Sequence, residues 1–176
     1  MKPLLVFAGV IVLLVVAVVI VGALLPRDHV ASRTARIPAP PSDVWDAITD
    51  VAAFPRWRTD VQSVDLLPDA PTGRSWREHS RSGTITMIAD VAEPPRRFIG
   101  RIADPNLPFG GSWEYIIVPD GAAASRLTIT ERGSVYNPVF RFVSRFIIGH
   151  TATMDTYLRA LGTRFHSTVT PEAASM

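Results

Sequence analysis

The chain has 176 residues, of which 47% are apolar and 19% charged, a balance that excludes a disordered or highly charged tail protein. It contains no cysteine, which excludes disulfide staples, zinc ribbons, thiol nucleophiles and iron–sulfur clusters. The basic residues, all arginine except Lys2, are scattered along the chain, and a net charge of +2 makes no electrostatic footprint for nucleic acid.

No residue from 3 to 25 is charged, and the run is almost entirely Val, Leu, Ile and Ala. As a helix it reaches roughly 34 Å at about 1.5 Å per residue, against a hydrocarbon core of about 30 Å. The expectation is a single-pass membrane anchor over residues 1–26. A cleaved signal peptide is the alternative, with Lys2 as its basic end and Val21-Gly22-Ala23 as its cleavage site. The apolar run is longer than the usual signal core of about 7–15 residues. Arg27, Arg33 and Arg36 follow the run while only Lys2 and the amino terminus precede it, which favours a cytoplasmic domain.

The remainder, roughly 150 residues, suffices for one domain, expected over 27–166 with a polar tail over 167–176. Residues 30–37 alternate as a strand, and Pro38, Pro40 and Pro41 end it. Ser42 is the predicted N-cap of a helix over 42–53, with Asp43 in its first turn and Val44, Trp45, Ile48 and Val51 on one face. Period-two patterns then predict strands over 61–67, 75–80, 84–91, 97–103, 112–118 and 126–135. Pro, Gly, Asp and Ser turn chemistry separates them, and such short connections imply an antiparallel meander. After Asn137-Pro138, the residues Phe142, Phe146, His150, Met154, Tyr157, Leu161 and Phe165 fall at spacings of three and four and predict one long closing helix. The fold class is α+β: an antiparallel sheet of about seven strands, with the long helix covering one face. A sheet that curls around that helix leaves an apolar cavity between them.

Three stretches carry a resemblance. The first runs Ile37-Pro-Ala-Pro-Pro-Ser-Asp-Val-Trp-Asp-Ala-Ile-Thr-Asp-Val-Ala-Ala-Phe-Pro-Arg-Trp57: a strand, a Pro-rich step, a Val-Trp helix, and an aromatic-Pro-x-Trp corner. The second is Gly73-Arg-Ser-Trp-Arg-Glu78, and the third is Glu93-Pro-Pro95 ahead of a strand. With Leu127-Thr-Ile-Thr-Glu-Arg-Gly133 and the closing helix, this order resembles the START/Bet v1-like (SRPBCC) superfamily, specifically its bacterial polyketide cyclase/dehydrase-like members. The resemblance covers about 32–165 and implies a helix-grip fold. For function it implies only a range, because the superfamily spans lipid and hormone carriers as well as cyclases. Arg58-Thr59 departs from the polar-Pro step that follows the corner in many members, and the apolar segment is an addition to the family domain.

No nucleophile elbow, phosphate-binding Gly-rich loop, dinucleotide fingerprint or His-Glu-x-x-His pair occurs, and His29, His79, His150 and His166 lack metal-ligand spacing. No cofactor and no metal are expected. His150 falls on the closing stripe and reads as a core imidazole, a ligand contact or an acid–base group. Glu78 shares a strand face with Trp76, and Glu131 shares one with Leu127 and Ile129. If that face is concave, both carboxylates look toward the helix and His150; if it is not, they are solvated strand charges. Trp57 and Trp76 serve either as packing or as ligand wall. Leu107 and Phe109, in the loop 104–111, gate a cavity, touch a bilayer or cap the core. Gly149 beside His150 removes a side chain, so a pocket is expected near 149–153 with Phe146 and Met154 on its walls. The candidate ligand contacts are therefore Trp57, Trp76, Glu78, Phe109, Glu131, Phe146, His150 and Met154, with His150, Glu78 and Glu131 as acid–base candidates. The expected function is membrane-anchored binding of a hydrophobic small molecule or lipid without conversion. A cyclase- or hydratase-like enzyme and a ligand-free interaction module are the alternatives.

Overall fold

Alternating side chains and short turns produce a single antiparallel sheet. The computed structural model describes residues 2–174. Its strands are β1 (Asp28–Ile37), β2 (Ser63–Ala70), β3 (Gly73–Ser80), β4 (Gly83–Glu93), β5 (Arg97–Ile102), β6 (Phe109–Pro119), β7 (Ser125–Val135) and the short β8 (Glu172–Ala173). They lie in the order β2-β3-β4-β5-β6-β7-β1-β8, so the meander closes when β1 joins β7 through pairs from Asp28↔Ser134 to Ile37↔Ser125. Register shifts between Leu67 and Ala70 and between Ala89 and Val91 bend the strands. Alternation along β6 turns Trp113, Tyr115 and Ile117 inward, while Glu114 faces out and pairs with Arg97. Of the stretch expected as a polar tail, residues 167–174 are described and return to the sheet, with β8 pairing beside Arg33 and Thr34 and Val169 buried against Gly162; residues 175–176 lie outside the described residues.

The helices are α1 (Lys2–Leu24), α2 (Pro41–Thr49), α3 (Pro138–Val143) and α4 (Ala152–Arg164). Two of them differ from the sequence expectation. In α2, Pro41 takes the first helical position after Pro40, and the Ser42 hydroxyl donates to Asp43 instead of capping the helix. Proline is suited to that position because its missing N–H would have no helical partner there. The helix stops at Thr49, and Val51–Arg56 continue as a 3-10 turn that keeps Val51 and Phe54 in the core.

The closing helix is not continuous. The Asn137 side chain caps α3 by accepting from the Val139 and Phe140 N–H groups. A π turn over Ser144–Ile148 follows, and Gly149, at φ +79°, redirects the chain before α4 begins at Ala152. The spacing of three and four runs through this break in the sequence, but the positive φ of Gly149 ends the helix, so the spaced residues on its two sides do not share one face. Met154, Tyr157, Leu158 and Leu161 face the sheet, whereas Phe146 is 60% exposed and His150 lies in the link between the two helices.

Between the inner face of the sheet, α2 and α4, the core centres on Ile48, Leu127, Ile129, Met154, Leu158 and Leu161. Arg33 of β1 clamps α4 by pairing with Asp155 and also donates to the Pro171 carbonyl. The stretch Val6–Leu24 of α1 is long and apolar enough to cross a membrane. Its last turns pack on α3 so closely that a Cβ at Gly22 would sit 1.9 Å from the Pro138 carbonyl oxygen. Arg141 of α3 donates to the Ala23 and Leu25 carbonyls, satisfying groups that a helix end leaves open.

Leu158 is fully buried between sheet and helix. Leu158→Ala is expected to lower the unfolding free energy by about 3 kcal/mol, read by urea denaturation followed by circular dichroism.

Candidate functional site

A cavity of about 510 Å³ lies between sheet and helix. Strand alternation builds its wall from every second residue: Trp76, Glu78 and Ser80 of β3, Ile85 and Met87 of β4, Phe98 and Gly100 of β5, Trp113 and Tyr115 of β6. Thr153, Met154 and Tyr157 of α4 close the other side, and the segment 58–61 after the 3-10 turn completes it. Gly100 leaves space in the wall, since a Cβ there would meet Met87, Phe98 and Trp76 only at 3.6–3.8 Å.

Arg58, Asp60, Glu78 and Arg81 bring charge into this apolar setting, and Arg58 joins two of the others. Its guanidinium donates to Glu78 Oε2 at 3.0 Å and to Asp60 Oδ2 at 2.6 Å, and it sits 4.9 Å from the Phe54 ring centroid and 5.3 Å from that of Tyr157. The Arg58 and Glu78 side chains are 13% and 15% exposed, while Asp60 is about half exposed. Burial alone pulls the Arg58 pKa down, but the Glu78 and Asp60 carboxylates more than reverse it, and the side chain stays charged. The other Glu78 oxygen accepts from Trp76 Nε1 at 2.9 Å. Tyr115 and Tyr157, with ring centroids 5.5 Å apart, are pushed above the ordinary tyrosine range chiefly by burial. Both present neutral hydroxyls.

Glu131 stands between this cavity and a second, smaller one. Its Oε2 accepts from Trp113 Nε1 at 3.0 Å and from the Thr153 hydroxyl at 3.4 Å, and both of those residues line the main cavity. Its Oε1 lies 3.2 Å from His29 Nε2. Gly133 makes room for that imidazole, since a Cβ there would fall 2.3 Å from His29 Cε1. His29 in turn stacks on His150, ring centroids 3.9 Å apart. Both imidazoles line a pocket of about 410 Å³ with Arg141 and Arg145, beside the end of α1. Burial first, then the neighbouring His29 and Arg145, holds His150 below the usual histidine range, although Glu131 pulls the other way.

The residues expected at the site are thus dispersed. Trp76, Glu78 and Met154 line the main cavity, and Glu131, on the same inner sheet face as Leu127 and Ile129, sits at its edge bonded to Trp113 and Thr153. Glu78 and Glu131 do not converge on His150: Glu78 pairs with Arg58, and Glu131 reaches His150 only through His29. Trp57 packs edge-on against Phe54 and Tyr157 with its Nε1 buried and unpartnered. Phe109 pairs across from Val135 and, with Leu107, packs on the core. Phe146 points away on the π turn, and His150 belongs to the smaller pocket. Sequence reasoning missed Arg58, which stood out only as a departure from the family pattern. The available signal was a lone arginine between the corner Trp57 and Asp60. Among the described residues, no group of three or more His, Asp or Glu is placed to hold a metal ion.

Two outcomes follow from this geometry. Arg58→Leu leaves Glu78 buried without its countercharge and is expected to cost about 3 kcal/mol of stability; the double variant Arg58→Leu/Glu78→Gln, which keeps an acceptor for Trp76, recovers most of that loss in the same urea assay. Because His150 titrates below its unfolded value, the unfolded chain binds its proton first as pH falls. Stability contributed by neutral His150 is therefore complete above about pH 6.5 and declines on acidification below it. His150→Gln is expected to flatten that part of the pH–stability curve.

The family model described as polyketide cyclase / dehydrase and lipid transport matches residues 28–166, from the start of β1 to just past α4. No curated protein sequence matches the chain. Among solved structures, a START superfamily protein from Mycobacterium smegmatis superposes with a TM-score of 0.64 at 17% identity, covering 78% of this chain and 97% of the other. The Zhui aromatase/cyclase from Streptomyces sp. R1128 superposes with a TM-score of 0.67 at 16% identity, covering 79% and 94%. Norcoclaurine synthase from Thalictrum flavum gives a TM-score of 0.62 at 11% identity, covering 78% and 86%. At these identities the likeness is one of fold: a curved antiparallel sheet gripping a C-terminal helix. With its family model matched along the whole sheet-and-helix unit, the chain belongs to the polyketide cyclase/dehydrase and lipid transport family of the START/Bet v1-like superfamily.

Proposed function

We propose that this chain binds a hydrophobic small molecule or lipid bearing one polar group, in the cavity between sheet and α4, and does not convert it. The domain is tethered to a membrane by α1, on the cytoplasmic side by its arginine count, which keeps the cavity near a supply of apolar ligand. The volume of about 510 Å³ suits a small organic ligand, and it speaks against the reading as a ligand-free interaction module.

The observation that carries the choice of binding over catalysis is the state of the two candidate carboxylates. Glu78 has one oxygen on Arg58 and the other on Trp76 Nε1; Glu131 has one on His29 and the other on Trp113 Nε1 and Thr153. A carboxylate with both oxygens already accepting from fixed donors orients its neighbours, and a substrate proton would have to compete with those donors for its remaining lone pairs. Arg58 supplies a fixed positive charge, and Tyr115 and Tyr157 supply neutral O–H donors, to hold the ligand's polar end. One observation favours a cyclase-like reading as runner-up: the same two phenols and the guanidinium would polarise a carbonyl oxygen placed between them.

The test is to plug the cavity. Gly100→Leu projects a branched side chain into it and is expected to weaken binding of a fluorescent fatty-acyl probe about tenfold or more, read by energy transfer from tryptophan to the probe in the detergent-solubilised full chain. Gly100→Ala, whose Cβ meets only ordinary contacts, retains the affinity. Unchanged binding by Gly100→Leu would remove the cavity as the ligand site.

A further inference from the structure

The segment joining β7 to α4 shows large apolar side chains to the outside. Val139, Phe140, Phe146, Ile147 and Ile148 are between 41% and 71% exposed. Single exposed apolar residues are ordinary on a protein surface, but a cluster of five on one short segment marks an interaction face. The π turn contributes to this: Phe146, Ile147 and Ile148 are all exposed in succession, while Arg141 of the preceding turn is buried.

The position of the segment says what covers that face. Gly22, in the last turn of α1, touches Pro138, and Arg141 grips the Ala23 and Leu25 carbonyls. The segment is therefore fixed beside the end of the helix that would span the bilayer, at the level where that helix leaves the hydrocarbon. Arg145 within the segment and Arg27 beside it line the smaller pocket, and Tyr136, just before the segment, is half exposed. Apolar tips with arginine and tyrosine at one level are the composition of a membrane interface: the rings and branched chains enter the acyl boundary while the guanidinium groups meet lipid phosphates.

We infer that residues 139–148 form a second, monotopic membrane contact, in which Phe140, Phe146, Ile147 and Ile148 enter the bilayer beside α1 and fix the orientation of the domain on the lipid surface. The inference rests on the reading of α1 as a membrane span. A rigid two-point attachment would hold the β1–β7 end of the sheet at the membrane and the β6–β7 hairpin away from it, about 35 Å distant along β7.

Because the chain lacks cysteine, single labels are unambiguous. Spin labels on Ile148→Cys, Val12→Cys and Ala122→Cys in the full chain, reconstituted into vesicles of phosphatidylcholine and phosphatidylglycerol, are compared by collision with dissolved oxygen and with an aqueous nickel chelate. The expected result is that Ile148→Cys resembles Val12→Cys, with a several-fold preference for oxygen, while Ala122→Cys on the far hairpin prefers the chelate. A chelate-accessible Ile148→Cys alongside a lipid-embedded Val12→Cys would overturn this inference and leave the anchor standing. A chelate-accessible Val12→Cys would overturn the anchor and the inference with it. Shielding of Ile148→Cys from both probes would mean that a protein, a second copy included, covers the face, and would equally overturn it.

Discussion

A guanidinium taken out of water costs several kcal/mol unless its charge is matched and its donors are used. Arg58 meets both conditions with Glu78 and Asp60, and the layout of the cavity depends on how it does so. Glu78 has to stand on the inner face of β3, where alternation also places Trp76, whose indole N–H takes the remaining carboxylate oxygen. The rings of Phe54 and Tyr157 lie against the cation, joining the 3-10 turn to α4. Three elements are thus held at one charged point, with an apolar cavity left around it. Arg58 then supplies a fixed positive charge and the neutral Tyr115 and Tyr157 supply O–H donors, an arrangement suited to holding a polar group in place.

The strands were legible because the signal for a strand is local. Trp76 and Glu78, or Trp113 and Tyr115, announce a shared face by spacing alone, and the wall of the cavity repeats those pairs strand by strand. Met154 and Tyr157 were legible for the same reason on the helical period. What escaped was decided by backbone geometry or by distance. In the sequence, Gly149 reads as a missing side chain in a continuous helix; its φ of +79° ends that helix and carries Phe146 and His150 away from the cavity. Ser42 had the chemistry of a cap, but two prolines ahead of it already supplied a helix start. Arg58 and Glu78 are twenty positions apart, and no local pattern reports that one will neutralise the other.

The molecule has two ends with different surroundings. At one, β1 leaves α1, α3 leans on its last turn, and a polar pocket holds the stacked His29 and His150. Toward the other lies the main cavity, at whose edge Glu131 holds Trp113 and Thr153 while also bonding His29. A single carboxylate therefore touches both spaces, and Gly133 makes the link sterically possible. The smaller pocket therefore has a direct physical route, of two hydrogen bonds through one side chain, to Trp113 and Thr153 on the wall of the main cavity.

The central claim is that the space between sheet and α4 is occupied by a small apolar molecule. Native mass spectrometry of the full chain, purified from membranes in detergent and released under mild activation, tests it most directly. The expected result is a one-to-one adduct of a single small organic molecule that survives detergent removal and dissociates at higher activation without unfolding the chain. The bare mass of the chain alone, at every activation energy that preserves the fold and after incubation with apolar extracts of the same membranes, would contradict it.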